Sequence, residues 1–151
     1  MITIEKSGSS SFLRLIEIWE SSVRCTHFFL EESDISVLRP LILNSYLPNL
    51  DVFSACNTDG IISGFIAVNK NHIEMLFIDE KYRGQGIGKL LINFAINSLN
   101  AVQVDVNEQN YQGVGFYQKM GFVEKSRSEV DGQGRPYPLI QMELTIKPLQ
   151  K

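Results

Sequence analysis

Cysteine is scarce in this sequence of 151 residues: Cys25 and Cys56 are its two. Neither belongs to a Cys-x-x-Cys pair, and no histidine cluster lies near them at zinc-ligand spacing. A disulfide framework and a zinc module are excluded, reduced thiols in a cytoplasmic protein are expected, and no metal is expected. The sequence also lacks any run of about 18 apolar residues that would span a bilayer. Its first six residues, Met1-Ile2-Thr3-Ile4-Glu5-Lys6, lack the apolar stretch of a signal peptide. Positive charge is not in excess either: 14 Lys and Arg against 17 Asp and Glu give a net charge of −3. That balance argues against nucleic acid or an anionic membrane as partner and suits a cationic substrate. There is no repeat, low-complexity segment or linker.

What is present has the composition of a soluble globular domain, 44% apolar and 21% charged. A chain of this length forms one domain, residues 1–151, and buries roughly 68–70% of the surface its unfolded form exposes. Ile2 and Ile4 alternate with polar residues as in a short strand. Phe12, Leu15, Ile16, Trp19 and Val23 mark a helix over 12–23, with Ser10 or Ser11 as cap. A second helix is expected over 34–44, complicated by Pro40. Strands follow over 50–55, 61–68 and 72–78, with Asn57-Thr58-Asp59-Gly60 turning between the first two. A glycine-bearing loop then leads into a strongly periodic helix over 87–99. A strand over 102–106, a helix over 112–120 ended by Gly121, and strands over 122–130 and 139–144 complete the chain. The order βααβββαβαββ predicts an α/β (mixed α+β) fold, one mixed sheet of about seven strands flanked by about four helices on both faces.

The informative segment is Leu76-Phe77-Ile78-Asp79-Glu80-Lys81-Tyr82-Arg83-Gly84-Gln85-Gly86-Ile87-Gly88-Lys89-Leu90. An apolar strand runs into a glycine-rich loop and a helix begins at once. Helix N-termini leave backbone N–H groups unpaired and carry partial positive charge, and glycines let a phosphate approach them closely. The loop therefore suits an anion such as a phosphate or pyrophosphate. It is not a P-loop, because Lys89 is followed by Leu90 rather than Ser or Thr, nor a dinucleotide fingerprint, because Gly84, Gly86 and Gly88 alternate.

Arg83-x-x-Gly86-x-Gly88 after an apolar strand resembles the coenzyme-A signature of the GNAT superfamily of N-acetyltransferases. Further on, Asn110-x-x-Gly113-x-x-x-Tyr117-x-x-x-Gly121-Phe122 resembles that family's second signature, with Gly113 in place of the usual alanine, a change worth about 1 kcal/mol to the helix. The two signatures cover residues 76–122. The resemblance implies the GNAT acyltransferase fold, acetyl-CoA as cosubstrate and direct transfer of its acetyl group to an amine acceptor, a primary amine of a small molecule, peptide or protein. It implies that strands 72–78 and 102–106 part to admit the pantetheine arm. Leu76, Phe77 and Ile78 then pair with that arm. Arg83, Gly84, Gln85, Gly86, Ile87, Gly88 and Lys89 take the pyrophosphate, and Asn107 and Asn110 hold the arm from the other side. Tyr117 matches the family's general acid; the alternative is a core aromatic with a bonded hydroxyl.

An alkylammonium cannot attack until it loses a proton. Base positions in relatives fall here on His72 and Glu74, and strand alternation puts 72, 74 and 76 on one face. His72 titrates near neutrality, Glu74 relays or holds the cation, and a water chain alone is the alternative. The acceptor side lies outside the matched motifs. Chemistry alone offers His27 and Phe28 in the joint between the first helices, Trp19 and Arg24 before it, and Tyr137 within Arg135-Pro136-Tyr137-Pro138, with Glu129 and Asp131 able to attract an amine. A CoA-binding sensor without turnover is the competing reading, and a homodimer is consistent with how relatives pair.

Overall fold

The computed structural model describes residues 1–145. A 3₁₀ turn at Ser9–Ser11 precedes α1 (Phe12–Thr26), and Ser11 makes no side-chain cap bond, so the expected serine cap is absent. The helix outlasts its apolar stripe by one turn. Arg24 pairs with Glu20 one turn back, and Thr26 Oγ1 donates to the Ser22 carbonyl at 2.8 Å. α2 (Glu32–Leu41) starts two residues earlier than the periodicity indicates, because Glu31 and Asp34 form a reciprocal capping box. Pro40 lies inside it, and Ile42–Tyr46 widen into a π turn. A ring without N–H that crowds the preceding carbonyl accounts for the loss of regular spacing there.

Seven strands form one sheet: β1 (Thr3–Lys6), β2 (Asp51–Cys56), β3 (Ile62–Asn69), β4 (His72–Ile78), β5 (Gln103–Asn107), β6 (Phe122–Ser128) and β7 (Leu139–Leu144). Their spatial order is β1-β2-β3-β4-β5-β7-β6. All neighbours run antiparallel except β4 and β5. α3 (Ile87–Leu99) and α4 (Tyr111–Lys119) complete the fold. On one face Ile87, Leu91, Ile92, Ala95 and Ile96 of α3 and Tyr117 of α4 pack on Ile66, Val68, Val104 and Val106. On the other, Leu15, Ile16, Ile18 and Trp19 of α1 pack on Phe65, Ala67 and Met75. The sheet thus carries apolar side chains on both faces, which requires helices on both.

Two departures from regular pairing shape the centre of this sheet. β4 and β5 are in register only at His72↔Gln103 and Ile73↔Val104, and then part. Val68 pairs with Ile73 and Ala67 with Met75, which leaves Glu74 as the extra residue of a β-bulge. The bulge resets the alternation. Ile73 joins the α3-side core, Met75 the α1-side core, and Leu76 again packs on the α3 side. The expectation that 72, 74 and 76 share one face is therefore corrected: strict two-residue alternation fails wherever an unpaired residue is inserted.

Candidate active site

Where β4 and β5 part, a cleft of about 300 Å³ opens. Leu76, Phe77 and Ile78 form one bank and Val106, Asn107 and Asn110 the other, and Tyr117 also lines the cleft. Beyond Ile73, no β5 residue is in register with β4. The bank from Met75 to Ile78 thus offers backbone N–H and C=O groups to an extended ligand in place of a strand.

The glycine loop adjoins one end of the cleft. Asp79, only 5% exposed, opens it. One of its oxygens accepts the Lys81 amide at 3.1 Å, and the other takes Arg14 of α1 at 2.7 Å. Burial works against the Asp79 carboxylate, but the Lys81 amide and Arg14 together hold its pKa below the ordinary range. After the 3₁₀ turn Glu80–Tyr82, Gly84 and Gly86 both adopt φ of +80°, a conformation L side chains rarely take. Gly86 is the N-cap of α3 and supplies no side-chain bond, so the first amides of that helix stay open to a ligand. Arg83, Gly84, Gly86, Ile87, Gly88 and Lys89 line this hollow, which is open enough that a Cβ at 84 or 86 would touch nothing within 4 Å. Gln85 lies in the loop but lines neither hollow. Uncapped amides, a helix N-terminus and two cations fit a pyrophosphate, and the strand-like bank fits the amides of a pantetheine arm.

Across the cleft, α4 is capped by Asn110, whose Oδ1 accepts the Gly113 amide at 3.1 Å. An added Cβ at Gly113 would come within 2.4 Å of Asn110 Nδ2. Glycine here gives the cap room, which offsets the helix propensity it forgoes. Gly113→Ala is expected to gain about 1 kcal/mol of propensity and lose about as much capping. Its stability in thermal denaturation should then stay within about 0.5 kcal/mol of the parent, and a gain of about 1 kcal/mol would contradict this balance. Gln112, in the first turn of α4, accepts from Arg83 at 2.7 Å and joins the glycine loop to the helix. Tyr117 is 7% exposed and stands edge-on to Phe116 and Phe122, with centroids 5.2 and 5.5 Å away. Burial raises its pKa well above that of free tyrosine, so it carries its proton throughout the neutral range.

At the apex of the divergence His72 lies between two carboxylates. Its Nε2 is 3.1 Å from Asp105 Oδ1. Its Nδ1 is 2.6 Å from Glu74 Oε2 but off the N–H axis, so that contact is an ion pair rather than a directed hydrogen bond. Asp105, then Glu74, raise the His72 pKa to about 9 against the opposing effect of burial. The imidazolium is thus fully formed at neutral pH and is lost as pH rises through about 9. Glu74 and Asp105 line the cleft, whereas His72 does not.

Of the acceptor-side candidates, His27 lines the cleft beside Ser22 and Thr26, and burial lowers its pKa to about 4, leaving it neutral. Phe28 is 82% exposed and does not line the cleft. Tyr137 is also outside that lining: its hydroxyl donates to Asp34, which Arg135 approaches at 3.2 Å, so the pair straps the β6–β7 connection to α2. The Asp34 hydrogen bond pushes the Tyr137 pKa up to about 12. Trp19 is core, Arg24 is bound to Glu20 and Glu32, Glu129 to Arg127, and Asp131 accepts the amides of its own turn. Sequence reasoning missed Asp105. The alternation Val104-Asp105-Val106, two core valines around a carboxylate, was the available signal.

Divergent central strands, an uncapped glycine loop at the head of α3 and a buried tyrosine on α4 define an acyl-CoA-dependent N-acyltransferase. A family model described as the acetyltransferase (GNAT) domain matches residues 40–146, and the chain belongs to that family. It is an acetyl-CoA-dependent N-acetyltransferase that acts on an amine, and the reading as a sensor without turnover is not favoured. It is 42% identical over 142 residues to the peptidyl-lysine N-acetyltransferase YjaB of Salmonella typhimurium, covering 94% of this chain and 97% of that one. The solution structure of apo-form YjaB from Escherichia coli superposes with a TM-score of 0.88 at 37% identity, over 96% of this chain and 98% of that one. The PaiA N-acetyltransferase of Thermoplasma acidophilum, in complex with coenzyme A, shares the fold at a TM-score of 0.76 and 21% identity, over 95% of this chain and 99% of that one. No described helix is long and apolar enough to cross a membrane.

Proposed function

We propose that the acceptor is the ε-amine of a lysine in a protein or peptide, and that it attacks acetyl-CoA directly in a ternary complex. The observation that carries this reading is the presence of Glu74 in the same cleft as Tyr117 and the glycine loop. The names of the similar YjaB proteins support the choice of lysine over a small amine. The amides of residues 84–88, with Arg83 and Lys89, hold the pyrophosphate. Leu76, Phe77 and Ile78 pair with the pantetheine, and Asn107 and Asn110 steady it from the opposite bank.

Glu74 removes a proton from the ammonium: an N–H bond breaks and an O–H bond forms. The freed lone pair attacks the thioester carbon. A backbone N–H of Leu76 or Phe77 meets the developing oxyanion. As the C–S bond breaks, Tyr117 gives its hydroxyl proton to the departing sulfur. His72, already protonated between its two carboxylates, is a poor base at neutral pH, so that role falls to Glu74. In this reading residues 1–151 are one acetyltransferase domain that works in the cytoplasm without a metal, and sedimentation velocity reads whether two copies pair.

Thiol release from acetyl-CoA, measured with lysine peptides, their Nε-acetylated forms, α-amine-only peptides and polyamines, tests the acceptor. Turnover with the free-lysine peptides, with the acetyl group placed on the side chain by mass spectrometry, is expected. Turnover confined to polyamines or α-amines would reject the lysine assignment.

A further inference from the structure

Glu74 is held by neither of its neighbouring strands. As the bulge residue it has no register partner on β3, and the β4–β5 pairing has ended one residue before it. A base needs a fixed carboxylate. The contact available to fix it is His72 Nδ1, at 2.6 Å. His72 is in turn anchored to the opposite strand through Asp105, at 3.1 Å. The three side chains therefore span the point where the strands part, two of them facing the cleft and the histidine behind them.

We propose that His72 and Asp105 are positioning residues for acetyl transfer: they hold the Glu74 carboxylate in the cleft by a bridge from β5 to the bulge of β4. This rests on the reading of Glu74 as base. His72 does not line the cleft, so it acts through Glu74 and not on the substrate. The bridge also has an electrostatic function. One imidazolium between two carboxylates leaves the group at net −1, matched to a single acceptor ammonium. Without the imidazolium, two carboxylates would face each other across the cleft with no cation between them. Two further charged groups stand in the surroundings: Arg83, bound to Gln112, lines the same cleft, and Glu143 of β7 lies behind Gln103. From β3, Asn69 pairs with His72. From β5, Gln103 pairs with it and is itself bonded to Glu143 of β7 at 3.5 Å. The β7 partner of Asp105 is Gln141. On the α1 side of the cleft His27 is neutral.

The test is the pH profile of kcat/KM for a lysine peptide in His72→Gln, Asp105→Asn, the double variant and Glu74→Gln, with acetyl-CoA affinity by calorimetry as the check on folding. His72→Gln should shift the acid limb upward by about one pH unit, the effect of losing a neighbouring cation, and leave acetyl-CoA affinity within about threefold. Asp105→Asn should lower kcat without moving the limb upward. The double variant, which removes one charge of each sign, should bring the limb back toward its original position. A limb unmoved in His72→Gln, while Glu74→Gln abolishes it, would overturn the bridge and leave Glu74 as base. A double variant whose limb lies above that of His72→Gln would also overturn it, since the loss of one charge of each sign must largely cancel. A limb unchanged in Glu74→Gln would reject Glu74 as base and the bridge with it.

Discussion

Tyr117→Phe should lower kcat about 100-fold or more, within the range contributed by a positioned general acid, and change acetyl-CoA affinity by less than about threefold. The substitution removes one oxygen and keeps the ring. The edge-on contacts with Phe116 and Phe122 survive, so stability should change by less than about 1 kcal/mol. Burial raises the Tyr117 pKa, which at first makes it a reluctant donor to a thiolate whose parent thiol has a pKa of about 8.5 in water. In the proposed reaction, however, the leaving sulfur develops its charge in the same cleft, and desolvation raises its proton affinity too. The relevant quantity is the difference between two anions in one environment. The measurement is kcat by thiol release where chemistry limits the rate, beside calorimetry with CoA. An unchanged kcat would remove Tyr117 as the acid.

Gly86→Asp is expected to weaken coenzyme binding at least 100-fold while the chain stays folded. The φ of +80° at this position strains any L residue by about 1–2 kcal/mol. An Asp N-cap beside the open amides of α3 recovers part of that through capping and the helix dipole. The same placement puts a carboxylate where the pyrophosphate would bind, so attraction becomes repulsion. Gly86→Ala separates the two contributions, since it carries the strain without the charge and should bind more tightly than Gly86→Asp. Calorimetry with CoA reads both. Retained binding in Gly86→Asp would place the diphosphate away from residues 84–88.

These two experiments address the part of the protein that was most legible in its sequence. The bounds of β4, α3 and β7 follow from periodicity and turn residues alone, and the structure has them at the same residues. The glycine loop was readable for the same reason: strand, loop and helix are consecutive in the chain. Its opening by Asp79 was not, because the fixing partner Arg14 lies 65 positions away. Tyr137 illustrates the difficulty from the other side. A tyrosine between two prolines has the sequence character of a substrate contact, yet Asp34, 103 positions earlier, binds its hydroxyl.

The sequence by itself determined the family, the element order, the glycine loop at the head of α3 and the tyrosine of α4, since each depends on residues within a few turns of one another and on local backbone preference. Only the tertiary structure decided the bulge at Glu74, the point at which β4 parts from β5 and the charge of His72. Each of these depends on which strands become neighbours and in what register, and a proton on an imidazole is held by carboxylates that folding alone brings within reach.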